Sequence, residues 1–210
     1  MRNIEGMMRI ATIFLLSGMV ATSAMAQSKT AAKTPELSAD QQYCISTGGF
    51  VESRRAVYGT NNDESAWLWL AAKEGFCQYT LADDGSRIHI SLGALNTTHP
   101  TLAVLAYYAQ VQWNGQGNGN PASFYCTQLG GAEIGATDFA GGAWVSRGGI
   151  DKTLEACVFP DNSVIDSWGL LYHSVNIIRG IDLATVLKYP NPYTSSSAKK
   201  IPYANSSTKK

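Results

Sequence analysis

Asn120-Pro121-Ala122-Ser123-Phe124-Tyr125-Cys126-Thr127-Gln128-Leu129-Gly130-Gly131 decides how the chain is read. Asn120 is a helix N-cap, because its side chain can accept from the first free backbone N–H groups. Pro121 suits the first helical position, where its missing N–H costs nothing. Gly130-Gly131 ends the helix, because glycine takes the left-handed conformation readily. The stretch has a forerunner. Gln42-Tyr43-Cys44-Ile45-Ser46-Thr47-Gly48-Gly49 parallels Phe124 to Gly131 at an offset of 82, with Ser38 as the matching cap. Further blocks follow in the same order. Phe76-Cys77-Gln78-Tyr79 parallels Ala156-Cys157-Val158-Phe159, and Ser91-Leu92-Gly93 parallels Ser167-Trp168-Gly169. Leu102 to Tyr108 parallels Leu183 to Tyr189. Ordered self-similarity at a near-constant offset is the mark of a repeat. The sequence predicts copy one at 37–113, a flexible Gly/Asn linker at 114–119 and copy two at 120–190.

Each predicted copy holds two cysteines. Four cysteines allow three pairings. The repeat favours Cys44–Cys77 and Cys126–Cys157, because each unit then closes on itself. Closing a loop of this length contributes roughly 3–4 kcal/mol in the chain-entropy model, which matters for a small core. The spacing does not suit paired C-x-x-C zinc ligands. Phe50 to Val57, Trp67 to Leu70 and Phe76 to Leu81 read as strands, the last by its alternation. The clusters Asp83-Asp84-Gly85-Ser86 and Pro160-Asp161-Asn162-Ser163 are turns. They lead back into Ile88–Leu92 and Val164–Trp168. A helix starting near Pro100 or Asp182 ends each copy. The expected class is α+β: two tandem disulfide-stapled repeats, each helix, antiparallel strands, helix.

Residues 1–26 read as a signal peptide. Arg2 and Arg9 precede an apolar run, Ile10 to Val20, and Ala24-Met25-Ala26 is a small-x-small cleavage site. The run is too short to span a bilayer. Cleavage near Ala26 implies a periplasmic or secreted protein, where cysteines oxidise. Residues 27–36 read as a flexible leader. The formal charge of zero hides an asymmetry. Residues 27–190 carry ten basic and fifteen acidic side chains, a net −5, whereas 191–210 carry four lysines and no acid. That last stretch reads as a disordered basic tail, suited to an acidic partner or anionic surface. The acidic body argues against a nucleic-acid partner.

Copy two resembles a known family. Asn120-Pro121-Ala122-Ser123-Phe124-Tyr125-Cys126, Gly130-Gly131, Cys157-Val158-Phe159-Pro160-Asp161-Asn162-Ser163 and Trp168 look like a small exported bacterial domain of unknown function that carries a haemolysin label. The usual pattern is N-P-A-S-x-Y-C-x-x-x-G-G, then Y-C-x-F-x-D-G-S-x-C and a Trp. The likeness covers 120–168. Asn162 replaces the usual Gly, and Ile165 replaces a further Cys. Residues 138–152 look inserted. Copy one keeps the cysteines and Gly-Gly but not Asn-Pro-Ala-Ser. The resemblance implies no catalytic residue and no cofactor. Lysis needs a membrane-inserting element, and the mature sequence shows none.

The search for chemistry returns little. His89, His99 and His173 form no zinc motif; His99 reads as a capping or solvated histidine and His173 as a packed or surface one. There is no G-x-S-x-G elbow. The glycine-rich stretches lack a phosphate-loop pattern. No metal, cofactor or catalytic set is expected. The aromatic residues point instead to contact. Phe139, Trp144 and Arg147 lie in a Gly-flanked, unpaired loop, Phe139–Gly149, and Trp67 with Trp69 form a second candidate. The resulting expectation is a non-catalytic exported binding or assembly module, an accessory to an envelope or secretion complex with a protein partner. The rivals are a secreted inhibitor or toxin presenting that loop, and a hydrolase with a carboxylate/His site.

Overall fold

Two helix starts obey the sequence rules atom by atom in the computed structural model, which describes residues 36–135 and 138–194. The expected signal segment 1–26, nearly all of the leader 27–36 and positions 195–210 of the tail lie outside the described residues. Helix α1 (Ala39–Ser46) starts at Ser38 with a full capping box, the Ser38 hydroxyl and the Gln41 side chain each taking the other's backbone N–H. Helix α4 (Pro121–Gln128) starts at Asn120, whose Oδ1 accepts from the Ala122 N–H at 2.9 Å. Both helices end at a left-handed glycine, Gly48 and Gly130, each at φ +86°.

The remaining elements are β1 (Phe50–Tyr58), β2 (Leu68–Thr80), β3 (Arg87–Ser91), α2 (Leu92–Leu95) and α3 (Leu102–Ala109) in the first half. The second half adds β4 (Gly142–Val145), β5 (Thr153–Leu154), β6 (Ala156–Val158), β7 (Val164–Asp166) and α5 (Ser167–Ser174), but the helix expected from Asp182 is only a three-residue 3-10 turn, Leu183–Thr185, capped by Asp182. Trp67 to Leu70 and Phe76 to Leu81, expected as separate strands, are largely parts of one long β2 that bulges against β1 near Ala56.

All seven strands form one antiparallel sheet, in the order β5-β4-β1-β2-β3-β7-β6. The two ends of that order are chain neighbours, since only Glu155 separates β5 from β6. The sheet therefore curls into a nearly closed, barrel-like form. Its joints cross between the halves: β1 pairs with β4 through Ala56 and Trp144, and β3 pairs with β7 through Ile90 and Ile165. The expected picture of units that each close on themselves is corrected here. An antiparallel strand with an open edge presents unpaired N–H and C=O groups, and each half covers the other's edges. The described residues from Glu36 to Thr194 form one compact unit.

Alternation along the strands sorts the side chains into two layers. Cys77 and Tyr79, Ile88 and Ile90, and Ile165 face the helices and build the larger core with α2, α3 and α5. The opposite positions, Ala56, Phe76, Trp144, Leu154, Ala156 and Val164, fill the inside of the curl. Two disulfides tie helix to sheet: Cys44–Cys77 joins α1 to β2, and Cys126–Cys157 joins α4 to β6. These are the pairings that the sequence favours. The turn residues also work across halves. Asp161 Oδ2 accepts from the Leu102 N–H at 2.7 Å, and Ser163 Oγ from the Ala103 N–H at 2.9 Å, so the second half's turn caps α3 of the first. The expected flexible linker is likewise seated on α4: the Asn114 N–H donates to Gln128 Oε1 at 3.1 Å, and Gly117 lies against the Phe124 ring.

Candidate functional site

Three of the five contact candidates meet on one face. Trp67 and Trp69 stand two residues apart around the start of β2, half-buried, with rings 6.3 Å apart. The Arg147 guanidinium sits 5.0 Å over the Trp69 ring, and the Lys152 ammonium 5.1 Å over Trp67. Lys152 also pairs with Glu64. The Trp67 indole N–H donates to the Asn62 carbonyl at 3.1 Å, which fixes its ring. Leu68 between the tryptophans is 58% exposed. A cation over an indole face is attracted by the ring quadrupole, by about 0.5–1 kcal/mol at an exposed site. Phe139 is fully exposed, and Asn61 Nδ2 donates to its carbonyl at 3.1 Å.

Trp144 corrects the reading. It is only 6% exposed and packs edge-on against Phe76 inside the curl, with ring centroids 5.8 Å apart. The supposed loop Phe139–Gly149 contains β4, which is zipped between β1 and β5. An indole on the inward side of a strand paired on both edges is core, whatever glycines flank it. The inhibitor reading needed this segment as a presented loop, and its centre is a buried strand. Lys152, Leu68 and Glu64 were not singled out from the sequence. Lys152 had only one signal, its place in the inserted stretch.

A second constellation was missed. Glu52 and Arg54 stand two apart on β1, hence on one face, and that face points inward. Arg54 is 1% exposed and His89 likewise 1%. Arg54 Nε donates to Glu52 Oε1 at 2.5 Å, and its Nη1 donates to the Trp144 carbonyl at 3.2 Å. His89 Nε2 lies 3.3 Å from Glu52 Oε1 and 3.3 Å from Gln78 Oε1, and its Nδ1 lies 3.4 Å from Asp166 Oδ2. The inside of the curl is thus apolar at one end and charged at the other. Buried charges survive only when paired and hydrogen-bonded, and each of these is. His89 is flanked by the Glu52 and Asp166 carboxylates and the Arg54 guanidinium.

The other histidines play quieter parts. His173 is buried and stacks on Tyr107 at 3.8 Å, and burial lowers its pKa. His99 is exposed and sits in a turn closed by Thr97.

The motif residues of the second half converge on Glu155. Asn120 Nδ2 donates to Glu155 Oε2 at 2.7 Å, and the Trp168 indole N–H donates to the same oxygen at 2.6 Å. Ser123 donates to Glu133, whose carboxyl is pushed up from the ordinary value by burial. Glu155 also separates β5 from β6. There the sheet leaves a cleft of about 280 Å³, lined by Arg87, His89, Asp166, Trp168 and Arg179 among others. Among the described residues no three His, Cys, Asp or Glu side chains are placed to share a metal ion.

A family model for a domain of unknown function, DUF333, matches residues 117–174. That span runs from the end of the Gly/Asn stretch through α5 and includes every residue of the Glu155 cluster. No curated protein and no solved structure matches the chain.

Proposed function

We propose that this chain is an exported, non-catalytic binding module of the bacterial envelope, and that it holds an acidic segment of a partner protein. One observation carries the reading. Residues distant in sequence, Trp67, Trp69, Arg147 and Lys152, form a single exposed face of alternating indole and cation. Trp and Arg supply large contact area and fixed donors, and so recur as binding anchors. Lys152 is balanced by Glu64, whereas Arg147 has no carboxylate partner among the described residues, so the face carries a positive excess. The two disulfides, and the fact that no described helix is long and apolar enough to cross a membrane, support export.

We also read the two halves as diverged copies of one unit. In support, Gly48 and Gly130 share φ +86°, and Gly49 and Gly131 each press on their own half's disulfide. A hydrolytic reading has one observation in its favour, His89 between Glu52 and Asp166. Against it, Asp166 is already engaged as the N-cap of α5, and Glu52 is held by the buried Arg54 guanidinium.

Crosslinking in native envelopes identifies the partner, and titration of its acidic segment into the whole chain then tests the face. Arg147→Glu and Trp67→Ala/Trp69→Ala should each weaken binding by about tenfold or more. Charge reversal on the partner should restore the Arg147→Glu variant. Unchanged affinity in both variants overturns the proposal.

A further inference from the structure

The closure of the sheet leaves the first part of β2 open on one side. β1 runs along one edge of the strand, pairing Val57 with Trp69 and Arg55 with Lys73. On the other edge β3 reaches only as far as Phe76, which it meets at Ser91. There the chain turns into α2, and Leu92 packs against Gly75. Among the described residues no strand lies beside Leu68–Glu74 on that side, and no loop hydrogen-bonds to the main chain of 69–74. In an antiparallel strand alternate N–H and C=O groups point away from the partner, so an open edge is a template for a further strand. Ala71, Ala72 and Lys73 are exposed, and the two alanines have no bulk with which to shield the backbone behind them.

The charge beside that edge chooses the occupant. Residues directly opposite in an antiparallel pair share a face, with Cβ atoms about 5 Å apart, and alternate residues of one strand share a face too. Arg55 stands opposite Lys73 on β2 and opposite Val145 on β4. Arg147, two residues beyond Val145, lies over the Trp69 ring. Arg55, Lys73, Arg147 and Trp69 therefore share one face. Like charges set opposite each other on a sheet repel. Among the described residues none of these three cations is in an ion pair. The one acid of β2, Glu74, stands on the other face, opposite Arg54.

We infer that an acidic, extended segment of the partner adds to β2 as a further strand along Leu68–Glu74, with every second side chain a carboxylate on the face of Lys73, Arg55 and Arg147. This inference rests on the proposed contact function and adds the mode of binding. Main-chain hydrogen bonds to the open edge hold the segment, and the alternating carboxylates set its register. A slip of one residue would turn those carboxylates to the face of Glu74. Alternation of charge is the recognised feature, beyond net charge alone.

The test is calorimetric titration of the full chain with a capped synthetic peptide that alternates glutamate and threonine. In such a strand every glutamate N–H points to one edge and every threonine N–H to the other. Two further copies are N-methylated, one at the glutamates and one at the threonines. The parent peptide should saturate. One methylated copy should bind about tenfold more weakly or worse, while the other stays within about threefold of the parent. Lys73→Glu should weaken the parent by about tenfold, and hydrogen exchange should slow at amides within 69–74 on binding. Equal affinity of the two methylated copies, whether kept or lost, overturns strand addition, as does failure of the parent to saturate. Weakening of the parent by Arg147→Glu alongside equal methylated copies leaves the contact function standing and removes the strand. A chain that dimerises in sedimentation and does not come apart on adding the parent peptide assigns the edge to a second copy and overturns the acidic occupant.

Discussion

At Gly49 and Gly131 a methyl group has nowhere to go. A Cβ on Gly131 would stand 2.3 Å from Cys157 Sγ, and one on Gly49 would stand 2.2 Å from Cys77 Sγ. The preceding glycines turn the chain at positive φ, which brings the next residue back onto the disulfide. Gly-Gly after Cys therefore has two separate causes, one conformational and one steric. Gly131→Ala should lower the thermal midpoint, with a cost of about 1–3 kcal/mol from overpacking. Gly93→Ala, where nothing lies within 4 Å, is the control and should be near neutral. Differential scanning calorimetry of both variants checks this. The helix stop was legible in the sequence through glycine's conformational freedom. The contact with sulfur was not, because it depends on where the strand returns.

The informative element is β1. Its inward positions read Glu52, Arg54, Ala56, so the strand carries charge into the curl at one end and apolar bulk at the other. Periodicity marks these residues as sharing a face, but it does not say that the face is buried. Removing one member of a buried pair strands the other. Arg54→Met should destabilise by about 3–5 kcal/mol, because Glu52 is left charged and without its guanidinium. The double variant Glu52→Gln/Arg54→Met should recover part of that loss. Urea midpoints of the two variants decide the matter. An equal loss in both would mean that Arg54 acts by packing alone. β4 teaches the complementary lesson. Gly141 and Gly142 at its start and Gly148 and Gly149 after it look like a loop, yet all four residues of β4 pair with β1, and Trp144 and Val145 pair with β5 as well.

At the scale of the molecule, the crossed joints β1·β4 and β3·β7 make the two halves one cooperative body. Replacing Cys126 and Cys157 by Ala should lower stability by about 2–5 kcal/mol. The loss should appear in the first half as well as the second. Hydrogen exchange should show reduced protection of β1–β3 amides in step with β6 and β7. Retention of first-half protection would instead mean that the halves unfold separately. The same closure creates the seam at Glu155. It is there that the motif residues Asn120 and Trp168 meet, although 48 positions separate them in the chain.

By itself the sequence determined the helix starts, the glycine stops, the paired cysteines, the turn clusters and the α+β class. All of these rest on interactions among near neighbours or on a repeated spacing. The tertiary structure alone decided that the halves share a sheet, that Trp144 is core, and that Trp67, Trp69 and Arg147 meet. It also decided that Glu52, Arg54 and His89 are buried together. The physical reason is that a strand's alternation specifies two faces but neither its neighbours nor which face is covered. Those follow only when distant edges find each other and close.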